Sequence, residues 1–178
     1  MKNTVLLVTD VQNTMIEARP FNERQVMENI KKLIISARKN NIEVIYVRHN
    51  EGEGTPFEKN TRGWEICSEV KPADDETIFD KKFSSAFFKT GLEIYLDNRG
   101  IENIILVGFQ TEYCIDATCK SAFDLGYKVI IPEKTNSTYD NEIFMAESLY
   151  RFYNFKIWKD RFARVVSMFE LETMIINI

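Results

Sequence analysis

The chain has 178 residues, of which 44% are hydrophobic, and a formal net charge of -4 at pH 7. This length predicts a single domain over residues 1–178 that can fold around its own core without a metal or a disulfide. The mild acidity and interspersed charges disfavour nucleic acid as a partner, and no apolar stretch of the sequence approaches the length of a membrane span. The three cysteines lack the spacing of a disulfide framework, so we expect free thiols and a cytoplasmic location.

Short apolar runs alternate with helix-compatible segments along the chain. Strands are predicted at residues 5–8, 44–47, 77–79, 104–107 and 129–131, with a last short strand at 165–166. Helices are predicted at residues 22–40, 90–98, 141–153 and 169–176, and a further helix has Cys114 in its first turn and stops at Gly126. Residues 50–76 are polar and irregular, which is typical of a lid or a binding loop. This order predicts an α/β fold, a three-layer α/β/α sandwich with a mostly parallel, doubly wound, Rossmann-like sheet.

Three reactive side chains follow the ends of predicted strands. Asp10 comes after the first strand, Lys81 after the short third strand, and Cys114 after the central strand. Because ligands of open parallel sheets collect beyond the carboxyl ends of the strands, these three side chains predict one site. Each has a simpler explanation when taken singly. Asp10 could cap a turn, Lys81 could lie on a solvated face, and Cys114 could pack under the sheet.

Several segments resemble the isochorismatase-like cysteine hydrolases, a family that includes nicotinamidases and related amidases. In the family's order, these segments are residues 8–13 (VTDVQN), 47–49 (VRH), 63–66 (GWEI), 81–87 (KKFSSAF), 108–118 (GFQTEYCIDAT), 122 and 126–127. The resemblance implies a catalytic triad of Asp10, Lys81 and Cys114. It favours Lys81 over Lys82 because the family's lysine lies four residues before the serine of its Ser-Ala-Phe segment, here Ser85.

The resemblance also implies a reaction, the hydrolysis of an amide C–N bond in a small molecule through a thioester. Lys81 and the helix end are expected to lower the pKa of Cys114. Asp10 is expected to take the thiol proton and return it to the departing amine. The backbone N–H groups of Gln110 and Cys114 are expected to stabilise the oxyanion. The family's non-proline cis peptide bond would here join Phe109 and Gln110.

Three alternatives remain open. The family branch that cleaves the vinyl ether of isochorismate typically lacks the nucleophilic cysteine, so Cys114 favours amide over ether cleavage without deciding between them. His49 also follows a strand end and could form a catalytic dyad with Cys114. A third alternative is non-enzymatic, either a redox sensor built on Cys67, Cys114 and Cys119 or a binding module. Cys114 and Cys119 point about 140° apart on a helix, which disfavours a disulfide between them.

The single histidine of the sequence limits the cofactors that we expect. Nicotinamidases of the family hold a metal with an aspartate and several histidines, so we expect no metal site and no other cofactor here. The substrate cavity is predicted to be lined by Gln12, His49, Trp64, Phe87 and Tyr139, an aromatic wall that suits a flat or carbamoyl-bearing amide. The resemblance also implies a homo-oligomer, either a dimer or a larger assembly.

Overall fold

The computed structural model describes residues 2–176. Within them the strands are β1 (Thr4–Thr9), β2 (Glu43–His49), β3 (Thr77–Lys81), β4 (Asn103–Phe109), β5 (Lys128–Pro132), β6 (Asn136–Ser137) and β7 (Ala163–Val166). The α-helices are α1 (Asn13–Glu17), α2 (Glu23–Lys39), α3 (Leu92–Asp97), α4 (Asp116–Asp124), α5 (Ala146–Phe152) and α6 (Met168–Ile176). A 3-10 turn at Ser68–Val70 and π-helical segments at Thr111–Ile115 and Tyr153–Trp158 complete the list. The predicted domain over residues 1–178 also includes Met1, Asn177 and Ile178, which lie outside the described residues.

All of these strands belong to one parallel sheet with the order β3-β2-β1-β4-β5-β7, and β6 pairs with the end of β4. The register pairs Thr9 with Gly108 and His49 with Lys81. The carboxyl ends of the four strands from β3 to β4 therefore lie at one edge of the sheet. This is the edge at which an open parallel sheet binds its ligands.

Helices cover both faces of the sheet. Alternate residues of the central strands point to opposite faces, so that Leu6 and Val8 pack with α2 and α6, whereas Val5 and Leu7 pack with α3 and α4. Both faces are buried, which explains why the central strands read as continuous apolar runs. The predicted three-layer α/β/α sandwich is confirmed.

The helix predicted at residues 141–153 differs most from the structure. It begins only at Ala146, because the Asn141 side chain accepts hydrogen bonds from the backbone N–H groups of Ile143 and Phe144. Such a local turn competes with helix formation. The Asp140 carboxylate then accepts a hydrogen bond from the N–H of Ala146, where the helix starts.

The irregular segment over residues 50–76 is hydrogen-bonded to the residues that follow β1. The backbone N–H groups of Asn13 and Thr14 donate to the carbonyls of Glu65 and Gly63. The N–H of Cys67 donates to the carbonyl of Val11. The second half of this segment is therefore held against the sheet edge. Among the described residues, no helix combines the length and the apolarity needed to cross a membrane.

Candidate active site

Asp10 is the first residue after β1, in a tight turn. Its φ angle is 53°, in the left-handed region, and its backbone N–H donates to the carbonyl of Val47 at 2.9 Å. This turn directs the carboxylate beneath the edge of the sheet, where the side chain is only 3% exposed. A carboxylate buried to this extent needs a charged partner.

Lys81 supplies that partner. It is the last residue of β3, so the strand extends two residues beyond its predicted end and places Lys81 beside His49. Its fully buried Nζ atom lies 2.7 Å from Asp10 Oδ2, 3.1 Å from Cys114 Sγ and 3.2 Å from His49 Nδ1. An ammonium group has three protons, and these three acceptors match them.

Cys114 lies in the π-helical segment between β4 and α4. The segment is held by Thr111, whose hydroxyl donates to the Asn136 side chain at 2.9 Å, and the Asn136 amide in turn exchanges hydrogen bonds with Asn154. The peptide bond between Phe109 and Gln110, just before the segment, is cis. The predicted triad residues are thus brought together from three different strand ends.

The close approach of β4 to β1 depends on Gly108. Its φ angle is 125°, and a Cβ atom at this position would lie 1.8 Å from the carbonyl oxygen of Thr9. Only glycine can combine this backbone conformation with this contact. Gly108 therefore sets the distance between Asp10, which follows Thr9, and the segment that carries Cys114.

Burial, more than the charges of the site, keeps the Cys114 thiol protonated. Burial and the adjacent Asp10 carboxylate raise its pKa to about 12, and the opposing effect of Lys81 is smaller. Burial also works against the charge of Lys81, but Asp10 and the Cys114 sulfur outweigh it and raise the pKa of the Lys81 ammonium. Lys81 does lower the pKa of Cys114, as expected, but burial and the Asp10 carboxylate outweigh this effect, so the net shift in the resting site is upward and not downward.

One oxygen of Asp10 has no hydrogen-bond partner. Oδ2 contacts Lys81, whereas Oδ1 is buried and unpartnered within residues 2–176. A carboxylate oxygen of Asp10 and the sulfur of Cys114 lie within 4.8 Å of each other. Asp10 thus keeps one oxygen free to accept a proton, and its carboxylate lies close to the Cys114 thiol.

Both ring nitrogens of His49 are engaged. Nδ1 faces the Lys81 ammonium, Nε2 lies 3.0 Å from Oε1 of Glu51, and the ring packs edge-on against Phe57. Because an ammonium can only donate, Nδ1 is the acceptor and Nε2 carries the proton. This geometry favours an orienting role for His49 and leaves neither nitrogen free to act as a base for Cys114.

Asp10, His49 and Cys114 each offer a possible metal ligand, and these ligand atoms all lie within 4.8 Å of one another. The Lys81 ammonium lies among them, within 3.2 Å of all three side chains. A metal ion at this place would have to displace a buried cation, and only one imidazole is present. The residues of the site therefore do not fit the aspartate and histidine metal site that the resemblance describes for nicotinamidases.

A cavity of about 410 Å³ opens onto the thiol, which suits a small-molecule ligand. It is lined by Asp10, Met15, His49, Glu51, Phe57, Lys82, Phe83, Ser84, Gln110, Tyr113 and Cys114. Sequence reasoning missed seven of these residues. Four of them lie within three residues of the motif Lys81 or Cys114, which is a signal that the sequence offers: Lys82, Phe83, Ser84 and Tyr113. Met15, Glu51 and Phe57 reach the cavity only through the tertiary fold.

Among the predicted cavity residues, His49 lies on the cavity wall, and the structure places the other four elsewhere. Gln12 is fully buried, and its amide bonds the backbone of His49 and Trp64. The centroid of the Trp64 ring lies 3.4 Å from the Arg48 guanidinium carbon, and Trp64 does not line the cavity. The other two aromatic residues contact the protein interior. Phe87 stacks on Tyr127, and the Tyr139 hydroxyl donates to the carbonyl of Met15.

The other two cysteines lie in the core. Cys67 and Cys119 are buried free thiols, and burial raises the pKa of each, to about 12 for Cys119. Thiols that stay protonated and inaccessible are slow to oxidise. This placement disfavours the redox-sensor alternative.

Comparison with known proteins gives the same family from sequence and from structure. Streptothricin hydrolase from Streptomyces noursei is 32% identical over 138 residues, which cover 76% of this chain and 50% of that protein. The match therefore spans half the length of that relative. The crystal structure of an isochorismatase hydrolase from Oleispira antarctica superposes with a TM-score of 0.90 at 26% identity, covering 97% of this chain and 98% of the other.

Two further relatives have amidohydrolase names. Nicotinamidase 3 from Arabidopsis thaliana is 29% identical and covers 82% of this chain, which spans 78% of that protein. The ureidoacrylate amidohydrolase RutB from Acinetobacter baylyi is 27% identical and covers 71% of this chain, which spans 67% of that protein. The family model described as the Isochorismatase domain matches residues 4–168. The chain belongs to the isochorismatase family.

Proposed function

We propose that this protein hydrolyses the C–N bond of a small-molecule amide through a thioester on Cys114. The observation that carries the proposal is the contact of one buried ammonium, Lys81 Nζ, with both the Asp10 carboxylate and the Cys114 sulfur. Asp10 can exchange a proton with the nucleophile, while Lys81 keeps both groups in place. The arrangement thus supplies a nucleophile and an acid–base residue beside one small cavity.

In the first step the sulfur attacks the amide carbonyl carbon as its proton moves to Oδ1 of Asp10. The new C–S bond turns the carbonyl oxygen into an oxyanion. We assign the stabilisation of this oxyanion to the backbone N–H groups of Gln110 and Cys114, two residues of the cavity wall. Losing one such donor typically costs about 10²- to 10³-fold in rate.

The raised pKa of Cys114 supports this order of events. A thiolate that existed before the substrate bound would place two anions beside one cation in a buried site. Coupling attack to proton transfer avoids that state. Lys81 keeps its charge throughout, because its pKa lies above the usual value.

In the second step the tetrahedral intermediate collapses. The C–N bond breaks, and the amine leaves with the proton held by Asp10. Water then attacks the thioester carbonyl and gives a proton to Asp10. When the C–S bond breaks, the sulfur takes this proton, and the carboxylic acid product departs.

The relatives support the same bond type, since two of them are a nicotinamidase and an ureidoacrylate amidohydrolase. The nucleophilic cysteine favours amide over ether cleavage. A carbonyl group can form an acyl-enzyme with it, whereas a vinyl ether offers no acyl group.

The direct test is intact mass spectrometry during incubation with small amides, ureides and N-carbamoyl compounds. We expect a substrate-dependent acyl adduct on Cys114, release of ammonia or an amine, and neither in the Cys114→Ala variant. Hydroxylamine should convert the thioester to a hydroxamate. Turnover that persists in Cys114→Ala would contradict the proposal, as would the failure of all three compound classes.

We also propose that the protein forms a homo-oligomer. This proposal is supported by a run of exposed apolar side chains, Ile143, Phe144 and Met145, which are 80%, 52% and 67% exposed. Exposed apolar patches of this kind commonly mark protein interfaces. Sedimentation velocity of the wild type and of Ile143→Lys tests it. A wild type that sediments as a monomer at micromolar concentration contradicts it.

A further inference from the structure

A second, smaller cavity adjoins the catalytic cavity. Its volume is about 210 Å³, and it is lined by Asn50, Asp80, Lys81, Lys82, Phe83, Phe88 and Lys89. Lys82 and Phe83 belong to the walls of both cavities. The second cavity, which we call the lysine pocket, therefore lies next to the catalytic cavity.

The lysine pocket carries uncompensated positive charge. Lys82 and Lys89 are exposed, and neither forms an ion pair with any residue in the described range 2–176. The other charged groups of the pocket are already paired, Asp80 with Arg48 at 2.7 Å and Lys81 with Asp10. Two lysines without an ion-pair partner in the described range therefore line one small cavity.

The walls of the pocket are aromatic and exposed. Phe83 and Phe88 are 46% and 50% exposed, and their rings meet edge to face with centroids 4.8 Å apart. Lys89 Nζ lies 5.6 Å from the centroid of the Phe83 ring and 5.2 Å from that of the Phe88 ring. Two large apolar rings that stay in solvent beside a cation form a surface ready to bind a ligand.

The loop that carries Phe83 and Phe88 is hydrogen-bonded to α4 at its middle. Ser85 Oγ lies 2.9 Å from Ser121 Oγ, and the N–H of Ala86 donates to Thr118 Oγ1 at 3.0 Å. Ala86 is fully buried. The core thus fixes the middle of the loop, so the exposure of Phe83 and Phe88 is set by the fold.

We propose that the lysine pocket binds the anionic end of the substrate, so that the preferred amides bear a carboxylate at the end remote from the scissile bond. The inference rests on the proposed amide hydrolysis and names its substrate class. The aliphatic or flat part of such a substrate would lie against Phe83, and Lys82 and Lys89 would pair with its carboxylate. Neutral and cationic amides lack this attraction.

The test compares monoamides with diamides of the same chain length: succinamate with succinamide, glutaramate with glutaramide, and adipamate with adipamide. We expect kcat/KM per amide group to be at least tenfold higher for the best monoamide than for its diamide, and the difference to shrink as salt is added. Lys82→Met and Lys89→Met should each raise KM for the monoamide by about fivefold, the upper range for an exposed ion pair. The diamide, which has no carboxylate, should lose less, so that the preference for the monoamide in kcat/KM falls by about fivefold in each variant.

Lys32→Met is the matched control, since it removes one exposed positive charge from α2 and should change neither KM. Equal turnover of monoamides and diamides overturns the inference but leaves the amide hydrolysis standing, as does an equal loss for both in the lysine variants. If no probe acylates Cys114, calorimetry with Cys114→Ala still tests the inference, and binding of the monoamides no tighter than that of the diamides contradicts it. The amide hydrolysis is contradicted only if ureides and N-carbamoyl compounds fail as well.

Discussion

Lys81 Nζ lies 2.7 Å from Asp10 Oδ2, and the two side chains are 0% and 3% exposed. Breaking a buried ion pair by removing one partner typically costs about 3 to 5 kcal/mol, because the remaining charge has no water to solvate it. The pair therefore couples the stability of the fold to the geometry of the site. Removing both charges together should therefore destabilise the fold less than removing Lys81 alone.

We predict that Lys81→Met lowers the free energy of unfolding by about 3 kcal/mol or more, since it leaves the Asp10 carboxylate buried alone. The double variant with Asp10→Asn should recover most of this loss. Urea denaturation followed by circular dichroism measures both variants. Lys32→Met controls for the change in net charge. A double variant no more stable than Lys81→Met would show that the two charges are not coupled.

Asp10→Asn should lower the pKa of Cys114 while it removes activity. The neutral amide takes away the negative charge that helps to raise this pKa, and the Lys81 ammonium remains. In the wild type the thiolate should be absent from pH 6 to 9. Absorbance at 240 nm, measured against the matched Cys114→Ala proteins, reports the thiolate. Activity of Asp10→Asn should fall by about 10²- to 10⁴-fold, the usual contribution of a general base.

The raised pKa of Cys114 also makes the free energy of unfolding depend on pH. A native pKa of about 12 lies above the roughly 8.5 of an unfolded cysteine, so the native state holds this proton more tightly. The resulting stabilisation is complete below about pH 8.5 and is lost as the pH rises toward the native pKa. If the Cys114 thiol of the wild type instead titrates at or below pH 8, this account is contradicted and a preformed thiolate is favoured.

The order of strands and helices could be predicted because the spacing of apolar residues and the positions of turn residues are local features of the sequence. Asp10 and Cys114 follow runs whose apolar character marks them as buried strands, so their place at the sheet edge follows from parallel topology. The direction of the Cys114 pKa shift could not be predicted. It depends on how deeply the thiol is buried and on the balance between the Asp10 and Lys81 charges, and both are tertiary facts.

The cavity residues were harder to predict for the same reason. Gln12 lies beside the motif aspartate in sequence, yet its amide is used by the backbone of His49 and Trp64. Those partners lie 37 and 52 residues away. Conversely, Phe57 reaches the cavity from an irregular segment without a periodic pattern. Sequence periodicity carries no information on such long-range contacts.

We predict that His49→Ala reduces kcat about tenfold without abolishing it. The change removes an acceptor from the Lys81 ammonium and leaves the other two contacts, a loss typical of one hydrogen bond. His49→Asn should restore most of the activity, because its side-chain oxygen can take the place of Nδ1. Steady-state kinetics of both variants decides the matter. Complete loss in both would instead favour a Cys114–His49 dyad.

Gly108→Ala tests whether the close approach of β4 to β1 sets the site. The added Cβ would lie 1.8 Å from the Thr9 carbonyl oxygen at a φ of 125°. Overpacking together with a left-handed backbone should cost about 3 kcal/mol or more. Gly52→Ala is the matched control, because its Cβ would meet nothing within 4 Å. Thermal unfolding separates the two variants, and activity measured well below the melting temperature of Gly108→Ala shows whether the surviving fold still aligns Asp10 with Cys114. If Gly108→Ala unfolds at the same temperature as the wild type and retains full activity, the spacing of β1 and β4 does not determine the geometry of the site.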